Sequence, residues 1–190
     1  MSELYPWPGN YETGNRVSSV AVVTLSDEFD FDPEKVAIWG PMKTENLGIE
    51  KVVANVLSNP NIRFIIVCGK EIRGHRSGQT LKALIENGLE ENGRIRDSDG
   101  AVPYIENISK EAVERFREQV EVVDLLDVTS KEKIDEAVEK CIENNPGSFG
   151  EPYTAVKIEM KEETAFEADF ALHSSLKVSP WGEISAMEEK

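Results

Sequence analysis

Apolar and polar residues follow one another along the chain in blocks whose periods separate strands from helices. Four runs rich in apolar and β-branched residues predict strands at Val17–Leu25, Val36–Trp39, Asn61–Cys68 and Val120–Asp127. Apolar residues spaced by three or four positions predict helices at 45–58, 78–87, 109–119 and 130–144. This alternation is typical of an α/β protein, and we predict a Rossmann-like three-layer domain whose mainly parallel sheet carries helices on both faces.

Capping residues locate several helix ends. Ser77 and Ser109 are predicted to be N-caps, because a serine hydroxyl can accept a hydrogen bond from the first turn. Gly88 is a predicted C-terminal stop, since glycine readily adopts the left-handed conformation that ends many helices. Residues 93–106 are polar and predict an irregular loop between the second and third helices.

The strand and helix pattern changes near residue 150. We therefore expect residues 1–150 to form the Rossmann-like domain and residues 151–190 to form a C-terminal extension of that same domain. Outside the central strands and helices, the pattern predicts three further features. They are an irregular arm at Met1–Arg16, a strand at Tyr153–Met160 and an extended tail around Pro180–Gly182.

Composition and charge narrow the class of protein. With 39% hydrophobic and 30% charged residues, the 190-residue chain is typical of a soluble globular domain. Its 36 acidic and 21 basic residues give a net charge of −15, which disfavours nucleic-acid binding. No apolar run could span a bilayer and the amino terminus lacks a signal-peptide pattern, so we expect a cytoplasmic protein with reduced cysteines.

A glycine-rich loop follows the third predicted strand and contains Gly69, Gly74, His75 and Gly78. Ligands of open parallel sheets bind at the carboxyl ends of the strands, and glycine lets the backbone approach a ligand closely. The loop therefore predicts a binding site. It does not predict a nucleotide triphosphatase, because His75 and Arg76 stand where a phosphate-binding loop needs lysine and a hydroxyl residue.

Other chemistries can be weighed from the residue types. Cys68, Cys141, His75 and His173 are zinc-ligand types, but they lack the close paired spacing of structural zinc sites. Cys68 suits a buried structural thiol better than a nucleophile, and no G-x-S-x-G motif supports a serine hydrolase. His75 either caps a carbonyl group or ligates a metal already caged in a haem or corrin, because one imidazole cannot hold a bare ion.

Several motifs together resemble one known family. They are Thr44–Glu50 (TENLGIE), Cys68–Gln79 (CGKEIRGHRSGQ), Gly100–Asn107 (GAVPYIEN) and Pro146–Gly150 (PGSFG). In order and spacing they resemble the A subunit of tetrahydromethanopterin S-methyltransferase. The similarity extends from the Tyr5–Gly9 arm to about Met160.

The resemblance implies a cobalamin-type (cobamide) methyl carrier of methanogenic archaea, which serves methyl transfer from methyl-tetrahydromethanopterin to coenzyme M in a complex that transports sodium. It implies that His75 is the lower axial ligand of the cobalt, and hence the catalytic residue. We expect the corrin to contact loops at the carboxyl edge of the sheet, at Thr44, Glu45, Asn46, Leu47, Gly74, Ser77, Gly78, Gln79, Thr80, Gly100, Ala101, Val102, Pro103 and Tyr104.

The partner of His75 is left open by the sequence. A metal-ligating histidine usually donates its second ring N–H to a carboxylate or carbonyl group. Corrinoid proteins of another type carry that acid two residues before the histidine, where this chain has Arg73. The acid must therefore come from elsewhere, and the candidates are Glu45, Glu71, Asp97 and Asp99.

The role of the chain within a complex is also left open. The membrane-bound subunit of the family ends in a transmembrane helix, and this sequence shows none. We expect either a truncated subunit or a soluble homologue that reaches the membrane only through partner subunits. A homologue could be a non-catalytic corrinoid-binding or regulatory protein without sodium coupling. An unrelated small-molecule enzyme of similar fold is the remaining alternative.

Overall fold

The computed structural model describes residues 5–155, 176–178 and 184–186 of the chain. The chain forms two compact units, Met1–Lys157 and Ile158–Lys190. The strands of the larger unit are β1 (Glu12–Thr13), β2 (Val20–Val23), β3 (Ile38–Gly40), β4 (Phe64–Gly69) and β5 (Glu121–Leu126). Its helices are α1 (Leu47–Ser58), α2 (Ser77–Asn87), α3 (Lys110–Gln119) and α4 (Lys131–Glu143). In the smaller unit, β6 (Leu176–Val178) pairs antiparallel with β7 (Ile184–Ala186).

The sheet of the larger unit has the strand order β1-β3-β2-β4-β5. All neighbouring strands are parallel except β1, which runs antiparallel to β3. In the central register Val22 lies between Trp39 and Ile66. This arrangement confirms the predicted mainly parallel sheet and brings the carboxyl ends of β2, β3 and β4 together at one edge.

Helices cover both faces of the sheet, which confirms the predicted three layers. Side chains of β4 alternate between the faces, so that Ile65 and Val67 pack with α1, α2 and α3 while Ile66 and Cys68 pack with α4. All four of these side chains are buried. Because both faces are covered, β4 has an uninterrupted apolar sequence rather than the alternation of a half-exposed strand.

Two of the predicted helix ends are confirmed and one is wrong. The Ser109 hydroxyl accepts a hydrogen bond from the Ala112 N–H over 3.2 Å, and α2 ends at Gly88. Ser77 is not the N-cap of α2, because Arg76 occupies that position in the left-handed conformation with φ +48°. The Ser77 hydroxyl instead donates a hydrogen bond to a loop carbonyl group, which is described below.

The peripheral predictions have mixed outcomes. The amino-terminal arm contains the short strand β1, which the sequence did not predict. Tyr153–Ala155 is not a strand, and the remainder of the strand predicted to reach Met160 lies outside the described residues. The segment Pro180–Gly182 also lies outside the described residues.

Candidate functional site

Three segments of the chain meet at the carboxyl edge of the sheet. They are the loop after β3 (residues 41–46), the loop after β4 (residues 70–76) and part of the α2–α3 connection (residues 97–104). The Ser77 hydroxyl donates to the Met42 carbonyl group over 2.9 Å and so ties the start of α2 to the first loop. An Arg76–Asp99 ion pair of 3.0 Å ties the second segment to the third. These two contacts join segments that are 23 to 35 residues apart in the sequence, so the site depends on the fold of the whole sheet edge.

His75 and Glu45 form a polar pair at the centre of these segments. The distance between His75 Nδ1 and Glu45 Oε2 is 2.7 Å. The Glu45 side chain is only 3% exposed, whereas that of His75 is 49% exposed. Within the described part of the chain, His75 Nε2 makes no hydrogen bond. A carboxylate that accepts from Nδ1–H fixes the proton on that nitrogen and leaves a lone pair on Nε2.

Hydrogen bonds keep Glu45 ionised in spite of its burial. Its second oxygen, Oε1, accepts from the Val102 N–H over 2.9 Å. Burial raises the pKa of the Glu45 carboxyl, but hydrogen bonds from its own backbone N–H, from Val102 and from His75 outweigh burial and leave the pKa below its usual value. The group is therefore a carboxylate at neutral pH and can accept the Nδ1 proton of His75.

Gly100 allows the three segments to approach one another. A methyl group in place of its hydrogen would lie 2.7 Å from Thr80 Oγ1, 2.9 Å from Glu45 Cγ and 3.0 Å from the His75 carbonyl oxygen. The first two distances are shorter than a Cβ atom tolerates and the third is tight, and neither Glu45 Cγ nor the His75 carbonyl oxygen can move without displacing the polar pair. The Glu45–His75 geometry therefore depends on glycine at this position.

Two exposed apolar side chains adjoin the polar pair. Leu47 and Val102 are 59% and 53% exposed. Leu47 follows Glu45 by two residues, and the backbone of Val102 is bound to the Glu45 carboxylate. Large apolar side chains exposed beside a polar group are suited to a ligand that combines an apolar surface with one coordinating centre.

The other predicted contact residues divide into two groups. Ser77, Gly78, Thr80 and Pro103 are buried and pack within the site, so they support the loops rather than present a surface. Gly74 and Ala101 are exposed, and five others are half-buried, namely Thr44, Asn46, Gln79, Gly100 and Tyr104.

Polar side chains among these residues are mostly used to hold the backbone. The Gln79 side chain donates to the Asp97 carbonyl group and accepts from the Asp99 N–H, both over 2.9 Å. Thr44 Oγ1 accepts from the Gly48 N–H over 2.9 Å at the start of α1. Hydrogen-bonding groups of this kind order the rim of the site.

Glu45, rather than Glu71, Asp97 or Asp99, is the carboxylate that contacts His75. Glu71 Oε1 instead accepts a backbone hydrogen bond over 2.8 Å at the start of α2, and Asp99 forms the ion pair described above. The structure thereby selects one of the four acids that the sequence left open.

Sequence reasoning missed Glu50, which anchors the α2–α3 connection just beyond the third segment. Its carboxylate accepts from the Glu106 and Asn107 backbone N–H groups over 2.7 and 2.9 Å, and from the Asn107 side chain over 2.8 Å. Glu50 lies on the buried face of α1 with Ile49 and Val53. A charged residue within an apolar helix face needs polar partners, and that signal was present in the sequence.

Comparison with known proteins identifies the family. Residues 2–167 match the family described as the A subunit of tetrahydromethanopterin S-methyltransferase. The chain belongs to this family. It is 49% identical over 158 residues to the second A subunit of this enzyme from Methanothermobacter thermautotrophicus, and the match covers 80% of this chain and 86% of that protein.

Two further relatives agree with this assignment. The second A subunit from Methanobrevibacter ruminantium is 47% identical over 175 residues, covering 89% of this chain and 90% of that protein. The A subunit from Methanocaldococcus jannaschii is 51% identical over 160 residues, covering 80% of this chain and 66% of that protein. The predicted family is thus confirmed, and the chain is a methyltransferase subunit. None of the helices in the described part of this family member combines the length and apolarity needed to cross a bilayer.

The two cysteines of this methyltransferase component lie buried on the α4 face of the sheet. Burial raises the pKa of Cys68 to about 12 and that of Cys141 to about 11. Among the described residues, no three histidine, cysteine or acidic side chains lie close enough together to hold a metal ion. The thiols are therefore packing groups rather than nucleophiles.

We expect neither thiol of the native protein to react with Ellman's reagent at pH 8 within minutes, whereas both should react after unfolding in guanidinium. At pH 8 a thiol of pKa about 12 is ionised in roughly one molecule in ten thousand, and the thiolate is the reactive form. A Cys141→Ser variant isolates Cys68 as a control. Rapid labelling of that variant in the native state would contradict the packing role.

Proposed function

We propose that this subunit binds a corrinoid through His75 Nε2 and serves as a methyl carrier. One observation carries the proposal: Nδ1 of His75 is held at 2.7 Å by a buried carboxylate, while Nε2 has no partner within the described residues. Histidines that ligate metals usually have this arrangement, with a carboxylate or carbonyl group on the second nitrogen. A lone imidazole suits a cobalt already held by a macrocycle better than a bare ion.

The residues around His75 fit such a ligand. Leu47 and Val102 offer exposed apolar contacts next to the Glu45–His75 pair, as the face of a corrin ring requires. The backbone of residues 100–102 is held close to Glu45 through Gly100 and the Val102 N–H, so the pair is positioned before any ligand arrives. Preorganisation of this kind lowers the free-energy cost of binding.

In this proposal the chain has three tasks. It binds the corrinoid, orients the His75 imidazole and holds a proton on His75 Nδ1. When bound, the corrinoid supplies a cobalt centre that can accept and release a methyl group. Glu45 keeps the proton on His75 Nδ1 and so keeps the lone pair on Nε2, the nitrogen that would hold the cobalt. The negative charge of Glu45 also makes the imidazole a stronger donor to a metal.

We also propose that the subunit works in methyl transfer from methyl-tetrahydromethanopterin to coenzyme M, together with partner subunits. Support comes from the family, whose name specifies tetrahydromethanopterin and S-methyl transfer. A cytoplasmic location, with contact to the membrane through those partners, is part of this proposal. Single-turnover transfer to coenzyme M in the presence of partner subunits distinguishes a carrier from a storage or regulatory protein.

Electron paramagnetic resonance of bound cob(II)alamin tests the axial ligand directly. An axial nitrogen splits the cobalt signal, and the splitting is a triplet for ¹⁴N but a doublet for ¹⁵N. We expect protein labelled with ¹⁵N-histidine to convert the triplet to a doublet, because His75 replaces the corrinoid's own unlabelled base. His173→Ala, which removes the second histidine of the chain, should leave the doublet unchanged. A triplet that persists in the labelled protein would refute the proposal.

A further inference from the structure

Two buried hydroxyl groups lie close to the Glu45–His75 pair. Thr80, near the start of α2, is fully buried, and Ser98, in the α2–α3 connection, is 6% exposed. Their side-chain oxygens, Thr80 Oγ1 and Ser98 Oγ, are 2.8 Å apart. Buried hydroxyl groups need hydrogen-bond partners, and the partners of these two indicate what they do.

The hydrogen bonds of the two hydroxyl groups run in one direction. Thr80 Oγ1 donates to the Arg76 carbonyl group over 2.8 Å, which uses the only proton of that hydroxyl. Ser98 Oγ must therefore donate to Thr80 Oγ1, and it accepts from the Gly100 N–H over 3.1 Å. We call this continuous path from the Gly100 N–H to the Arg76 carbonyl group the hydroxyl bridge. Successive hydrogen bonds in a buried environment strengthen one another.

The hydroxyl bridge joins the same two segments that Glu45 joins. One oxygen of Glu45 binds His75, and the other binds the Val102 N–H. The hydroxyl bridge binds the residue directly after His75 and the residue two positions before Val102. Two separate connections therefore fix the distance between the loop after β4 and the segment that holds the Glu45 carboxylate.

The backbone at Arg76 depends on this support. Arg76 directly follows His75 and has the left-handed conformation, with φ +48° and ψ +45°. That conformation is unfavourable for a residue with a side chain and persists only where surrounding contacts hold it. The Arg76 carbonyl group accepts from the Thr80 N–H over 3.0 Å and from the Thr80 hydroxyl over 2.8 Å. The ion pair of Arg76 with Asp99 is exposed and contributes less.

The backbone next to His75 matters because the tautomer of this residue has to be enforced. In water the neutral histidine side chain prefers its proton on Nε2, so the Nδ1–H form needs an acceptor held at Nδ1. Glu45 is that acceptor, over 2.7 Å, only while the two side chains keep their separation. Movement of the loop after β4 relative to residues 98–102 would lengthen the bond and release the tautomer.

We propose that Thr80 and Ser98 are positioning residues that fix the Nδ1–H tautomer of His75. Neither hydroxyl group bonds to the imidazole, and both act through the backbone at Arg76 and Gly100. The inference deepens the proposed function and rests on it, because this tautomer matters only if Nε2 binds a metal.

The tautomer can be measured in the full chain without any ligand. Long-range ¹H–¹⁵N correlation spectra of protein labelled with ¹⁵N-histidine distinguish the protonated from the unprotonated ring nitrogen, and His173→Ala assigns the signals of His75. At alkaline pH we expect the wild-type protein to carry the proton on Nδ1. In Ser98→Ala and Thr80→Val, which each break the hydroxyl bridge, we expect a mixture with the Nε2–H tautomer.

Two controls separate positioning from a loss of stability. Thr80→Ser keeps the hydroxyl group and should retain the wild-type tautomer. Ser58→Ala removes another buried hydroxyl group, whose hydrogen bond of 2.9 Å to the Asn55 carbonyl group lies at the end of α1, and should also retain it. If Thr80→Val does not fold, because its methyl group would lie against Ser98 Oγ, Ser98→Ala carries the test, since it removes one oxygen atom and adds none.

Cobalamin affinity is the second measurement. We expect Ser98→Ala and Thr80→Val to weaken hydroxocobalamin binding about tenfold, the lower end of the loss caused by removing an outer partner of a metal-ligating histidine, and Thr80→Ser by less than about twofold. An unchanged tautomer in folded Ser98→Ala protein would overturn the inference, as would an equal change in Ser58→Ala. If the tautomers changed as expected but the wild-type protein bound no corrinoid, the proposed function would fail, while the positioning of His75 by the two hydroxyl groups would stand.

Discussion

His75→Ala is expected to abolish axial ligation and to weaken hydroxocobalamin binding by more than about 100-fold. Loss of a residue that merely supports a metal ligand already costs roughly 10- to 100-fold in metal affinity, so loss of the ligand itself should cost at least as much. The measurement is the change in the visible spectrum of hydroxocobalamin on titration with protein. The wild-type protein should show displacement of the cofactor's base, and the variant should not.

Added imidazole provides a sharper test of the same variant. Because the His75 side chain is 49% exposed, its removal leaves space that free imidazole can reach, and we expect millimolar imidazole to restore the spectral change. His173→Ala should behave as the wild type. The variant should remain folded by circular dichroism, since a half-exposed side chain contributes little packing. Unchanged cobalamin affinity in a folded His75→Ala protein would exclude axial ligation by this residue.

The fold could be predicted from the sequence because its core strands are buried on both faces. Residues such as Ile65 and Ile66 pack on opposite sides of the sheet, so the apolar run itself identifies the strand. The predicted strand ends were less accurate. The strand predicted to reach Leu25 stops at Val23, because Leu25 adopts a left-handed conformation with φ +54°. The two-residue strand β1 is exposed and has no hydrophobic pattern to reveal it.

The site was only partly predictable, for a different reason. His75 was found from local signals, because it is one of two histidines and lies among glycines after a buried strand. Its partner Glu45 lies 30 residues earlier, in the loop that follows another strand. Four acids were equally plausible along the sequence, and the choice depends on how loops from neighbouring strands meet. The same limit applies to Ser77, whose hydroxyl serves the loop after β3 rather than its own helix.

Glu45→Gln is expected to weaken cobalamin binding roughly 10- to 100-fold, the usual cost of losing the group that orients a metal-ligating histidine. The carboxylate accepts two hydrogen bonds, one from His75 and one from the Val102 N–H. An amide has one oxygen, so it can satisfy only one of them. If its NH₂ group faces His75, the imidazole must accept on Nδ1 and carry its proton on Nε2, and that tautomer cannot ligate a metal through Nε2.

Glu71→Gln is the matched control for this prediction, because Glu71 is half-buried, accepts a backbone hydrogen bond near the site and does not contact His75. Both variants should lower the free energy of unfolding by about 1–3 kcal/mol, since each disturbs a carboxylate that satisfies backbone donors. Only Glu45→Gln should also reduce the fraction of cob(II)alamin that shows the histidine doublet. That spectroscopic difference separates control of the imidazole tautomer from a general loss of stability. Equal ligation in the two variants would show that Glu45 supports the loop and has no influence on His75.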